Sequence, residues 1–338
     1  MGNARFTHIS REGKLTLLPG LAEALAASEQ DGYIWLDYCQ PKKEDLEPLI
    51  EPLGLHPLSI EDCVDENQIP KIDDYPRNTF LLFNVLQYAE RQLYVYEVDL
   101  FIGTHFLVTV SGRDANGVHI LSGIDRQLEL DFGSIQQGPD NLLHLILDHV
   151  VDQKFDVIEA LEAELDRAEE TILADMAHFD PSELLHLRRD LLNVRKSLFH
   201  EREILVKICR KDCPFISDKA IYGYRDIYDH LAKFFELTES SRDIVTSLME
   251  MYLSMLNNQL TQAANTTNIT MRRLTYINTI FMPLTLLAGI GGMSEYSMMT
   301  GADNWRIAYP AFLVGMVVIG VISYFLLQRI ERRGKPSS

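Results

Sequence analysis

MRRLTYINTIFMPLTLLAGIGGM, from Met271 to Met293, is the stretch on which the fold turns, and a second apolar run, Ile307 to Leu327, follows it closely. Tyr276 to Met293 has no charged side chain, and Ile307 to Leu327 adds 21 uncharged residues. A helix rising about 1.5 Å per residue needs roughly 20 residues to cross about 30 Å of hydrocarbon, so each run predicts one membrane-spanning helix. Arg272 and Arg273 precede the core of the first run, and Arg329, Arg332, Arg333 and Lys335 follow the second. The link from Ser294 to Asn304 carries Glu295 and Asp303 but no Lys or Arg. The positive-inside rule then puts both chain ends in the cytoplasm and the link outside.

A two-helix hairpin encloses no interior, so a water-filled path requires several copies around one axis. The first run is the more polar at depth, with Asn278, Thr279 and Thr285, whereas the second has only interruptions such as Gly320 and Ser323. Met271, Leu274, Asn278, Met282, Thr285 and Gly289 fall on one stripe at steps of three and four. Such a stripe suits a pore wall, or equally the packing of helix on helix in lipid, where small and weakly polar residues are favoured. In a pore, the apolar rings can gate by dewetting while Asn278 and Thr285 offer oxygens to a hydrated ion.

The rest of the chain is of opposite character. The net charge is −18, yet from Met271 onward there are seven basic and three acidic residues, so residues 1–270 hold 24 basic against 46 acidic. That balance excludes a general nucleic-acid role, which needs a basic face. In a symmetric assembly such charge faces itself across each interface, where bound dications offset the repulsion. Cys39, Cys63, Cys209 and Cys213 are expected to be reduced thiols, since the Cys209–Cys213 pair lacks the two further ligands of a structural zinc site. No apolar N-terminal segment with a basic flank is present, so insertion is expected to depend on the hairpin. Histidines such as His144, His149, His178, His186 and His200 are scattered, and no phosphate loop, zinc-protease helix or nucleophile elbow occurs. An enzyme is not expected, nor a cofactor.

The runs TFLLFNVLQY, LYVYEVDLFIG and HFLVTVSG read as strands, which predicts a mixed α/β domain over residues 1–138. Residues 139–216 predict an antiparallel helical pair. Leu161, Leu165, Ala168 and Ile172 mark the inner face of its first helix, and Leu184, Leu187, Leu191, Val194 and Leu198 that of its second. Asp180-Pro181 separates the two, and the second is expected to end near Cys213-Pro214. A stalk helix over 217–293 continues into the first membrane helix, whose membrane part is about 275–293. An external loop (294–305), a second membrane helix (306–328) and a basic cytoplasmic tail (329–338) complete the layout.

IFMPLTLLAGIGGMS, from Ile280 to Ser294, resembles the end of the first membrane helix of the CorA family of divalent-cation channels, which reads IFxPLTxxAGIYGMN. YRDIYDHL (Tyr224 to Leu231), MYLSMLNNQL (Met251 to Leu260) and HPLSIEDCVDENQIPKIDDY (His56 to Tyr75) are similar to further blocks of that family in the same order. The resemblance implies an α+β cytoplasmic domain followed by long stalk helices and a C-terminal two-helix transmembrane hairpin, assembled as a homopentameric funnel. The first membrane helix then lines the pore through Met271, Leu274, Met282 and Thr285. The signature triplet falls on Gly292, Met293 and Ser294, so the family's GMN is GMS here, and its preceding aromatic is Gly291. A ring of Ser hydroxyls is wider and less directional than one of Asn amides, which implies weaker discrimination among hydrated dications, with Glu295 concentrating cations.

The implied function is a divalent metal-cation channel of the bacterial inner membrane. It carries Mg²⁺ above all, with Co²⁺ and Ni²⁺, down the electrochemical gradient, and dications act as both substrate and regulator. Its partners are the lipid bilayer and its own copies. Cytoplasmic Mg²⁺ bridging neighbouring subunits is implied to close the pore, with Glu61, Asp62 and Asp65 on an acidic ledge and Asp243 and Glu250 on the stalk as candidate ligands. A zinc transporter of the family's proton-coupled kind and a non-conducting CorA-like scaffold or sensor are the alternatives, and the altered triplet keeps both open.

Overall fold

Short β-branched and aromatic runs build one sheet at the start of the chain, and long amphipathic helices follow. The computed structural model describes residues 3–12, 14–65, 68–130, 132–292, 301 and 304–333. In chain order the first elements are β1 (Asn3–Ile9), β2 (Leu15–Leu18), α1 (Leu21–Ala27), β3 (Tyr33–Cys39), α2 (Lys43–Leu46), α3 (Ile50–Leu53) and α4 (Pro57–Asp62). Next come β4 (Lys71–Asp74), β5 (Thr79–Ala89), β6 (Gln92–Ile102), β7 (Phe106–Ser111), α5 (Ile124–Leu130) and α6 (Phe132–Ile135). Four helices complete the chain: α7 (Pro139–Asp175), α8 (Ser182–Cys209), α9 (Ile221–Gly291) and α10 (Trp305–Arg333). Contacts divide the chain into two units, Met1–Tyr252 and Leu253–Ser338.

The sheet runs β2-β1-β3-β7-β6-β5-β4, with β3 and β7 parallel and every other pair antiparallel. The three runs read as strands in the sequence are β5, β6 and β7. β1, β2 and α1 come from residues ahead of the family-like blocks and extend the sheet on its other side. One face packs Ile34, Leu36, Phe80, Leu82, Phe101 and Val108 under α1–α4. The other face lies against α7. Leu161, Leu165, Ala168 and Ile172 of α7 are buried, as are Leu184, Leu187, Leu191, Val194 and Leu198 of α8, the stripes their spacing indicates.

α8 ends at Cys209, short of Cys213-Pro214, because Lys211 adopts the left-handed conformation at φ 66. Its N–H donates to the Ile208 carbonyl at 2.9 Å and that of Asp212 to the Lys207 carbonyl at 3.3 Å, the pairing of a Schellman stop. The following turn is pinned by Asp140, whose Oδ2 accepts from the Ser217 N–H at 3.0 Å and whose carbonyl accepts from the Tyr224 hydroxyl at 2.7 Å. α9 accordingly begins at Ile221 rather than Ser217.

β4 is only four residues long, and its pairing with β5 stops where Lys71 faces Leu82. The backbone of Asn84 therefore has no strand neighbour on that edge. Two buried side chains take the strand's place. Glu201 Oε1 accepts from the Asn84 N–H at 2.9 Å, and Lys154 Nζ donates to the Asn84 carbonyl and, at 3.1 Å, to Glu201 Oε1. Both side chains are fully buried. Burial pulls the Lys154 ammonium below its ordinary range while Glu201 opposes that shift.

Candidate functional site

In the second unit α9 presents two unlike faces. Tyr276, Ile280, Pro283, Leu284, Leu287 and Gly291 are the half-buried positions of its membrane part. They face α10: a Cβ on Gly320 would stand 3.7 Å from Leu284 Cδ1, and one on Gly291 would come within 2.6 Å of Phe312 Cζ. Met271, Leu274, Asn278, Met282, Thr285 and Gly289 are all exposed, Met282 at 77%. At about 100° per residue the two stripes point to opposite sides of the helix. The polar-bearing stripe is thus left free by the hairpin's own packing.

The hydroxyls of Thr275, Thr279 and Thr285 each donate to the carbonyl four residues back, at 2.9, 2.8 and 2.8 Å, which leaves their lone pairs to accept. Asn278 makes no hydrogen bond among the described residues, although an amide left unsatisfied in hydrocarbon costs several kcal/mol, roughly 2–7. Pro283 lies inside α9 and removes the donor that would meet the Thr279 carbonyl. Both apolar segments are long enough to cross a bilayer, and neither is buried within the protein.

Gly292 donates to the Ala288 carbonyl at 3.0 Å, continuing the backbone ladder of α9 just past Gly291. The other members of the expected motif, Met293, Ser294 and Glu295, lie outside the described residues. Gly291, where the resembled family has an aromatic, has a structural counterpart. The Phe312 ring of α10 occupies the space that a side chain at 291 would need.

The acidic ledge is partly neutralised by its own chain. Glu61 accepts from Lys43 at 2.7 Å, which holds its carboxyl below the usual range, and Asp62 accepts from Lys71 at 2.6 Å. Glu61, Asp62 and Asp65 share one shallow depression with Asp73 and Lys71. On α9, Asp243 pairs with Arg242 at 3.1 Å and Glu250 is exposed about two turns further on. Among the described residues no hydrogen bond or ion pair joins the ledge to these two carboxylates.

The first unit does gather three possible metal donors elsewhere. Asp148 and Asp152, one turn apart on α7, and His230 of α9 place one ligand atom each within 4.8 Å of the others. His230 Nδ1 is buried without a hydrogen bond among the described residues, 4.0 Å from Asp152 Oδ1. Burial raises the Asp148 carboxyl, as do Asp152 and Asp226, against the opposing pull of His144 and His230. A cation here would relieve that repulsion. The sequence signal was the His144, Asp148, Asp152 column at intervals of four on α7, which could not be matched with a residue so distant in sequence as His230. All four cysteines are free, and none enters a three-donor cluster among the described residues.

Residues 30–329 match the family model described as CorA-like Mg2+ transporter protein. The cobalt/magnesium transport protein CorA of Thermotoga maritima is 31% identical over 276 residues, 80% of this chain and 75% of that protein. YfjQ of Bacillus subtilis is 30% identical over 296 residues, 87% of this chain and 88% of that protein. The complete structure of the CorA magnesium transporter from Methanocaldococcus jannaschii matches in fold with a TM-score of 0.68, at 22% identity and covering 96% of this chain and 97% of that one.

Proposed function

This chain belongs to the CorA-like Mg2+ transporter family, and from that premise we propose that it is a homopentameric divalent-cation channel of the bacterial inner membrane. Mg²⁺ is its principal cargo, with Co²⁺ and Ni²⁺ carried less selectively. The observation that carries this reading is the face of α9 turned away from α10, where Asn278, Met282 and Thr285 stand exposed and the Asn278 amide is unspent. Gathered around an axis, that face supplies alternating apolar and oxygen-bearing rings. Mg²⁺ gives up water reluctantly, so neutral oxygens suit the hydrated ion. With both chain ends in the cytoplasm, a negative interior draws a dication inward by about 4.6 kcal/mol per 100 mV, twice the single-charge value.

Asp148, Asp152 and His230, together with the ledge of Glu61, Asp62 and Asp65, are the proposed cytoplasmic metal sites that set the open fraction. Asp243 and Glu250 stay secondary candidates. The test is flux through the purified full chain in liposomes holding an ion-reporting dye, with Mg²⁺, Co²⁺, Ni²⁺ and Zn²⁺ offered in turn. Entry of Mg²⁺ that quickens with inside-negative voltage supports the channel. Zinc flux requiring a proton gradient would replace it with a zinc carrier, and silence with every ion with a scaffold.

A further inference from the structure

A cavity of about 720 Å³ in the first unit opens where the sheet's inner face changes from apolar to polar. Asn84, Glu97 and Asp99 are on its wall. Their placement follows from strand register: Asn84 faces Glu97 across the β5–β6 ladder, and Asp99, opposite Leu82, is two residues along β6 on the same side. Asn84 is 7% exposed and Asp99 3%. Among the described residues Asn84 Oδ1 and Asp99 Oδ1 are nonetheless without a hydrogen-bond partner. Glu97 Oε1 accepts from the Gln68 N–H at 2.5 Å. Burial, with Glu97 beside it, pushes the Asp99 carboxyl up to about 8; the Cys63 thiol next to it and Lys71 oppose that shift, and Asp62 adds to it.

Two orphaned acceptors and a second carboxylate on one wall call for a donor-rich, positively charged guest. Lys71, which pulls on Asp99, is engaged by Asp62 at 2.6 Å. Arg113 is turned to the Gly117 carbonyl at 2.9 Å, and Lys196 is exposed. We propose that this cavity binds one hard divalent cation of the Mg²⁺ class, held by Asn84, Glu97 and Asp99 within a single protomer and keeping part of its water shell. All three donors are oxygen, the preference of hard cations, and the charge is matched by Glu97 together with Asp99 once the ion displaces the Asp99 proton. Side chains two residues apart on a strand are separated by about 6.8 Å, beyond the roughly 4.2 Å spanned by two direct Mg–O bonds, so bound water completes the contact. Such an ion ties β5 to β6 beside Asn84, the residue on which Lys154 and Glu201 converge. The site is separate from the pore and from Asp148, Asp152 and His230, and it does not depend on the transport reading.

The test counts Mn²⁺, used alone as a paramagnetic stand-in, bound to the full chain in detergent by electron paramagnetic resonance. Asp152→Asn serves as the background, so that the donor cluster on α7 is already impaired. Adding Asp99→Asn, or separately Glu97→Gln, removes one further Mn²⁺ per chain or weakens it at least about tenfold. Asp99→Asn is nearly isosteric, and Glu97→Gln decides the matter should that variant not fold. Mn²⁺ stoichiometry and affinity unchanged by both substitutions would overturn the site.

Discussion

Lys154→Met is the sharpest probe of how the first unit holds together. The substitution leaves Glu201 as an uncompensated charge with no exposed surface, a loss of roughly 3–5 kcal/mol. Many buried ion pairs serve only each other, so replacing both partners by apolar residues is neutral or stabilising. This pair also completes a sheet edge. Removing both side chains strands the N–H and the carbonyl of Asn84, each costing about 1–3 kcal/mol, so Lys154→Met/Glu201→Met is expected to remain about 2–6 kcal/mol less stable than the parent. Trp35 is 1% exposed in β3, and with Trp305→Phe its emission reports unfolding of the first unit in urea. A double variant as stable as the parent would refute the edge-completion argument.

Three further outcomes are expected. Burial pushes the Asp99 carboxyl up to about 8, far above the ordinary carboxylate range it keeps in the unfolded chain, so its stabilising contribution is complete below about 4 and is lost as pH climbs to 8. In EDTA, Asp99→Asn should therefore flatten a decline of at most about 1.4 kcal/mol per pH unit, measured by urea titration at pH 5 to 8; equal slopes would contradict it. Gly291→Tyr should crowd Phe312 and destabilise the hairpin by about 1–3 kcal/mol, and Phe312→Ala should restore it, which detergent-resistant oligomer on a gel would reveal. Ser294→Asn should leave the assembly intact and sharpen Mg²⁺ preference in ion-competition flux; unchanged competition would mean that the outer ring does not select.

Much of the architecture was legible because its signals are local. Strands β5 to β7 follow alternating aromatic and branched residues, and the inner faces of α7 and α8 follow leucines at steps of three and four. The stop of α8 was not legible, since a left-handed Lys211 carries none of the usual glycine signal. The pairing of the ledge carboxylates was not legible, since Lys43 and Lys71, which neutralise Glu61 and Asp62, are brought to them only by the fold. The donor trio of Asp148, Asp152 and His230 was hidden for the same reason: its members sit on helices far apart in the chain. The stripe on α9 was visible as a period, but which side of the helix faces α10 needed Gly291, Leu284 and Gly320 in place.

The central claim is that copies of α9 turn that stripe toward a shared wet axis, and cysteine accessibility tests it most directly. Single cysteines at Asn278, Met282 and Thr285, and at Ile280 and Leu287 on the α10 side, would be exposed in liposomes to a charged, membrane-impermeant thiol reagent. The account predicts modification at 278, 282 and 285 that blocks ion entry, with 280 and 287 inert. Modification at 280 and 287 with 278, 282 and 285 protected would contradict it.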